Sequence, residues 1–347
     1  MHYRKKVNYK IRMGLVLALC INLVILSDKL FVSSNAQEEK KYSFSFKWGS
    51  KGYDDGEFIR PHDVEFDSTG NVFVSDRDLN NIQKFDPHGK FIKKWGSNGT
   101  AIGQFNQPYS ISIDSSDSIY VVDKVNNRIQ IFDTEGNFID SMDSVVGSKL
   151  NESLYLPEDM AIDPNTHDIY IADTGNNRIV KLDNEFNFLT EWGSKGRDPG
   201  QFDHPHGIGV DSAGDVYIND LNSPRIQKYN SEGEFIKEWG SKGKGPGQFT
   251  PPLEHLFVDA SDNVWLVDGM DNPQLQQFDS EGEFITAVGS GPCVIEDNVK
   301  ENPESMRQTL PCDGKLHQPE HAFINAEGNL YVVDRGNHRV VVYSEVD

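Results

Sequence analysis

From about residue 42 onward, apolar residues fall on every second position in short runs, and helical spacing is absent. Val64 and Phe66 alternate in one run and Val72 and Val74 in the next, separated by the turn residues Ser68-Thr69-Gly70-Asn71. A third run covers Ile82–Phe85 and a fourth Phe91–Trp95. The pattern predicts four short strands joined by tight turns. The same unit returns along the chain, clearest from Gly200 to Gly240. The residues closing the first run are Asp67, Asp114, Asp163, Asp211, Asp259 and Asn325, at spacings of 47, 49, 48, 48 and 66. Those closing the second are Asp76, Asp123, Asp173, Asp220, Asp268 and Asp334, at 47, 50, 47, 48 and 66. Two markers with one period establish a sixfold repeat.

Four strands per ~45 residues, repeated, predict an all-β fold, a six-bladed β-propeller with four-stranded blades. The sixth copy lacks a fourth strand. Tyr42–Gly52 matches the fourth-strand sequence Phe235–Gly243, so the first strand is expected to complete the last blade. The propeller is therefore placed at residues 42–347. The motif Gly-Gln-Phe-x-x-Pro at Gly103–Pro108 and Gly200–Pro205, with Asn126-Asn127-Arg128-Ile129 and Asn176-Asn177-Arg178-Ile179, resembles the NHL-repeat family of six-bladed propellers. Such folds host many activities, so the fold leaves the function open.

Strand order puts the Trp-Gly-Ser-Lys-Gly and Asn-Asn-Arg loops on one face, here the top, and the Ser-x-Gly-Asn hairpins on the bottom. The position five before each first-run closing residue opens the innermost strand at the top mouth of the channel. It follows the motif proline except in blade five, where Pro251-Pro252 adds a residue and leaves the register open by one. It holds His62, Tyr109, Glu158, His206, Glu254 and Glu320, followed by Asp63, Ser110, Asp159, Gly207, His255 and His321. Histidines and carboxylates converge nowhere else in the repeat. They are either the polar lining of a wet channel mouth or a metal or acid–base cluster. His62, Tyr109, Glu158, Glu254 and Glu320 are the candidate binding residues. His206, His255 and His321, from three successive blades, are the candidate metal ligands, with zinc or calcium as the cofactors considered. Pro61-His62-Asp63-Val64 and Pro205-His206-Gly207-Ile208 resemble segments of the peptidyl-α-hydroxyglycine α-amidating lyase propellers. That resemblance implies a catalytic zinc on three histidines from alternate blades. Blades one and four are opposite, and neither alternate set supplies three histidines here.

Arg128, Arg178, Arg225 and Arg339 recur at one position and are expected to bridge to the second-strand aspartates. Trp48, Trp95, Trp192 and Trp239 recur and are expected to pack between blades. Blades five and six are separated by an insertion at 291–314 that carries Cys293 and Cys312. In an exported chain this pair reads as a disulfide, closing a loop beside the channel mouth.

The first 36 residues stand apart. Arg4, Lys5, Lys6, Lys10 and Arg12 precede the apolar run Met13–Leu26, and Ser34-Asn35-Ala36 offers a cleavage site. This is the layout of a signal peptide or an N-terminal membrane anchor. Either places the body outside the cytoplasm, secreted or anchored, with membrane contact only through this segment. Asn151-Glu152-Ser153 matches a glycosylation sequon. The net charge is −21, and without residues 1–36 the 27 basic and 53 acidic residues leave −26. That balance argues against nucleic acid, whose binding needs a basic surface. No nucleophile elbow or nucleotide loop is present. Two functions remain: a monomeric binding scaffold that takes a protein, peptide or glycan on its top face, or a metal-dependent lyase working in the channel mouth.

Overall fold

The structure, a computed structural model, describes residues 41–143, 153–269, 271–289 and 313–346. The leader, the sequon at Asn151 and the cysteine pair Cys293 and Cys312 lie outside them. The described residues form six four-stranded antiparallel blades, each running from an inner to an outer strand. Blade one comprises Pro61–Phe66, Val72–Asp76, Asn81–Phe85 and Phe91–Trp95, and blades two to five repeat this order. Blade six consists of Pro319–Ile324, Leu330–Asp334 and Arg339–Val346, closed on its outer edge by Lys41–Trp48. Tyr42 pairs with Glu345 and Trp48 with Val340. The inner strands of successive blades contact one another around the ring, including blade six with blade one. No open edge is left between first and last blade, which suppresses edge-to-edge pairing with another chain.

Alternation on the second and third strands buries both faces between neighbouring blades. Val72, Phe73, Val74, Ile82 and Phe85 are all fully buried. The recurrent tryptophans do pack between blades: Trp95 lies against Gly136 of the next blade, as Trp48 does against Gly89. A Cβ at Gly136 would stand 2.7 Å from the Trp95 ring, and its φ is +73°. Only glycine satisfies both demands.

Polar residues close the turns and fasten the loops. Asp67 accepts hydrogen bonds from the Thr69 and Asn71 amides, so the bottom hairpins are capped by their own carboxylates. The six second-strand aspartates are buried and each accepts from an amide of the preceding top loop, as Asp76 does from Ile59 at 2.7 Å and Asp334 from His317 at 2.6 Å. The recurrent arginines meet them as expected. Arg128 Nε lies 2.8 Å from Asp123 and Arg178 Nε 2.7 Å from Asp173, while Arg225 reaches Asp220 at 3.7 Å.

Candidate functional site

The residue that follows the motif proline in five blades, and Leu253 in blade five, comes to the top mouth of the channel because the inner strands face one another across the ring. All six expected residues are there and all are buried, with His62 4% and Glu158 2% exposed. His62 packs against Tyr109, ring centroids 3.7 Å apart, and its Nε2 lies 3.8 Å from Glu320 Oε2. Neither ring nitrogen of His62 has a hydrogen-bond partner. Burial, then the charges of His206 and Arg77, holds its pKa well below the ordinary range, so the ring is neutral. His206 Nδ1 faces the Glu254 carbonyl at 3.2 Å, and its Nε2 lies 3.5 Å from Glu158.

Three cations that the sequence reading missed complete the mouth. Arg77, Lys124 and Arg335 each follow the second-strand aspartate, in blades one, two and six. The signal was a departure from the repeat, since Thr174, Leu221 and Gly269 hold that position elsewhere. Arg77 donates to the Tyr109 hydroxyl at 3.3 Å, and Lys124 Nζ sits 3.9 Å above the Tyr109 ring. Lys124 also pairs with Glu158, and Arg335 with Glu320. His204 Nε2 meets Glu158 at 3.0 Å. Burial would raise the Glu158 carboxyl, but His206, His204 and Lys124 outweigh it and bring the pKa down to about 2. Glu254 goes the other way. Burial and then the adjacent Glu320 push it well above the usual carboxylate range, which favours its protonated form. Gly269 makes room for Glu254: a Cβ there would stand 2.6 Å from its Cγ.

One residue further along lies a second level. His255 and His321 stack with centroids 3.3 Å apart. His255 Nε2 lies 3.3 Å from Asp159, and His321 Nδ1 lies 2.8 Å from Asp63, out of line for a hydrogen bond. The two aspartates also stitch blades together. Asp63 accepts from the Ile111 amide of blade two at 2.6 Å, and Asp159 from the Ile208 amide of blade four at 2.9 Å. The three histidines expected as metal ligands are thus split between two levels. His206 turns to Glu158 and Glu254, while His255 and His321 turn to each other. Among the described residues no group of three or more His, Cys, Asp or Glu is arranged to hold a metal. The side chains as placed do not fit a three-histidine zinc site.

Ring, repeats and polar mouth together define a class, a six-bladed β-propeller with its candidate site at the top of the channel. Family models agree: a 6-bladed beta-propeller family, DUF5128, matches residues 51–142 and 115–195, and the NHL repeat matches residues 317–343. The chain is a six-bladed β-propeller whose last blade carries a match to the NHL repeat. No curated protein matches it significantly. Among solved structures it is similar to a protein of unknown function from Bacteroides thetaiotaomicron, with a TM-score of 0.66 at 15% identity over 89% of this chain and 77% of that one. A gluconolactonase from Xanthomonas campestris aligns with a TM-score of 0.58 at 11% identity over 84% and 88% of the two chains. Virginiamycin B lyase from Staphylococcus aureus aligns at 0.53 and 13% identity over 88% of each. At such identities the likeness is one of fold.

Proposed function

We propose that this protein is an exported binding scaffold that holds a polar group of a peptide or glycan in the top mouth of its channel. The observation that carries the reading is His62. A buried imidazole with neither nitrogen partnered is rare, because such groups are normally satisfied. A ligand hydroxyl or amide entering between His62, Glu254 and Glu320 would supply the missing partner. Arg77, Lys124 and Arg335 add donors around the rim, and the mixture of both charges suits a polar ligand over an apolar one. The test is binding of the protein to peptide and glycan arrays, repeated with His62→Phe. Loss of the captured ligand supports the reading. Unchanged capture by the folded variant refutes it.

One observation favours an enzymatic second reading. Glu254, a carboxyl pushed toward its protonated form by burial and Glu320, shares the mouth with the neutral imidazole His62, whose Nε2 lies 3.8 Å from Glu320. Groups in these two states can serve as general acid and general base. On this reading the protein is a lyase that uses its own side chains, without a three-histidine metal. Turnover of an α-hydroxyglycine peptide, abolished by both Glu254→Gln and His62→Phe, would establish it. Binding without turnover leaves the scaffold.

A further inference from the structure

The lower half of the channel holds a half-open cavity of about 390 Å³, lined by none of the six mouth residues. Its walls come from the later residues of the inner strands and its rim from the bottom hairpins at Pro164, Ser212 and Asp262. The volume lies in the range of small-molecule pockets. Most of the wall is aliphatic, including Ile111, Ile113, Met160 and Val210. One side is aromatic: Phe257 and Phe323 stand 5.6 Å apart, and Phe257 stacks on Trp265 behind it.

The polar atoms in this apolar space are nearly all acceptors. Glu65 lies on the wall, one carboxylate oxygen accepting from the Phe66 amide. Asp159, His255 and His321 line the inner end. His255 Nε2 lies 3.3 Å from the Asp159 carboxylate, which favours the tautomer with its proton on Nε2 and leaves Nδ1 as an acceptor. That Nδ1 is buried with no hydrogen-bond partner, in a side chain 8% exposed. The Ser112 hydroxyl spends its proton on the Met160 carbonyl at 2.9 Å. The lining contains four carboxylates and neither lysine nor arginine.

We propose that this lower cavity binds a small organic cation with an apolar body, a primary alkyl- or arylammonium. Its charge rests near Glu65 and His255 Nδ1, and its body lies against Phe257 and Phe323. An ammonium supplies three donors to a site that presents acceptors, and aromatic faces favour cations. Burial and the neighbouring Asp63 hold the Glu65 carboxyl well above its usual range, and the charge of a bound cation opposes that shift and favours the carboxylate. An anion would find no compensating charge.

The test is isothermal titration of the full chain with 2-phenylethylammonium, 2-phenylethanol and 3-phenylpropanoate. The expected result is one ammonium per chain, bound at least tenfold more tightly than the alcohol, with no binding of the carboxylate. Glu65→Gln should weaken the ammonium at least tenfold and the alcohol less than twofold. Ala161→Leu, which fills part of the cavity, should weaken both and stands in if Glu65→Gln does not fold. Equal affinity for ammonium and alcohol, or no ammonium binding at millimolar concentration, overturns the proposal. So does ammonium binding that survives Ala161→Leu undiminished.

Discussion

Replacing Glu158 with glutamine tests whether the top mouth is held together by charge. The carboxylate is 2% exposed and meets Lys124, His204 at 3.0 Å and His206 at 3.5 Å. These partners lower its pKa from 4.5 to about 2 in the folded protein. A depressed carboxylate stabilises the fold above its unfolded pKa, and the contribution disappears as pH falls through the folded value. At ~1.4 kcal/mol per pKa unit the shift corresponds to about 3 kcal/mol at pH 7. Half or more of that should be gone near pH 3, leaving roughly 1.5 kcal/mol. Urea denaturation of wild type and Glu158→Gln at several pH values between 7 and 3 measures the difference directly, since other carboxylates titrate in both proteins. The gap should be about 3 kcal/mol at pH 7 and should close on acidification. A gap that stays constant across this range would show that Glu158 acts by shape alone, and the electrostatic reasoning would fail.

Other expectations follow from the scaffold. Arg178→Met strands Asp173 and Glu191, each within 2.8 Å of the guanidinium, and should cost about 3–5 kcal/mol by denaturant titration, with much of it recovered in the double variant that also carries Asp173→Asn. Phe202→Ala empties a fully buried position under the blade-four loop and should cost about 3–5 kcal/mol. Truncation through Trp48 removes the outer strand of blade six and should leave a protein that unfolds less cooperatively and self-associates on gel filtration, whereas a monomer with unchanged melting would contradict strand closure. Gly269→Val drives a side chain into Glu254 and should abolish ligand capture at the top mouth while leaving ammonium binding in the lower cavity.

What could be read from the chain was everything that repeats. Period-2 apolar runs and two aspartate markers gave the strands, the blade count and the closure by Tyr42–Trp48, because each is a local pattern or a match between copies. The Arg–Asp bridges were legible for the same reason: Arg178 and Asp173 are five residues apart on neighbouring strands of one blade, and four copies show the pair. The inner-strand position was legible as a place, and the structure brings His62, Tyr109, Glu158, His206, Glu254 and Glu320 together there.

The sequence alone thus determined the ring and the ring of candidate residues at its mouth. Only the tertiary structure decided who faces whom. Residues one blade apart are ~48 positions apart in sequence, and nothing local records whether a histidine turns up or down the channel. That choice sent His206 to Glu158 and stacked His255 on His321, dividing the expected ligand set. It also brought Arg77, Lys124 and Arg335 over the mouth from loops that depart from the repeat. The lower cavity is decided the same way. Glu65, Phe257 and Phe323 come from blades one, five and six, and the space between them exists only once the ring has closed.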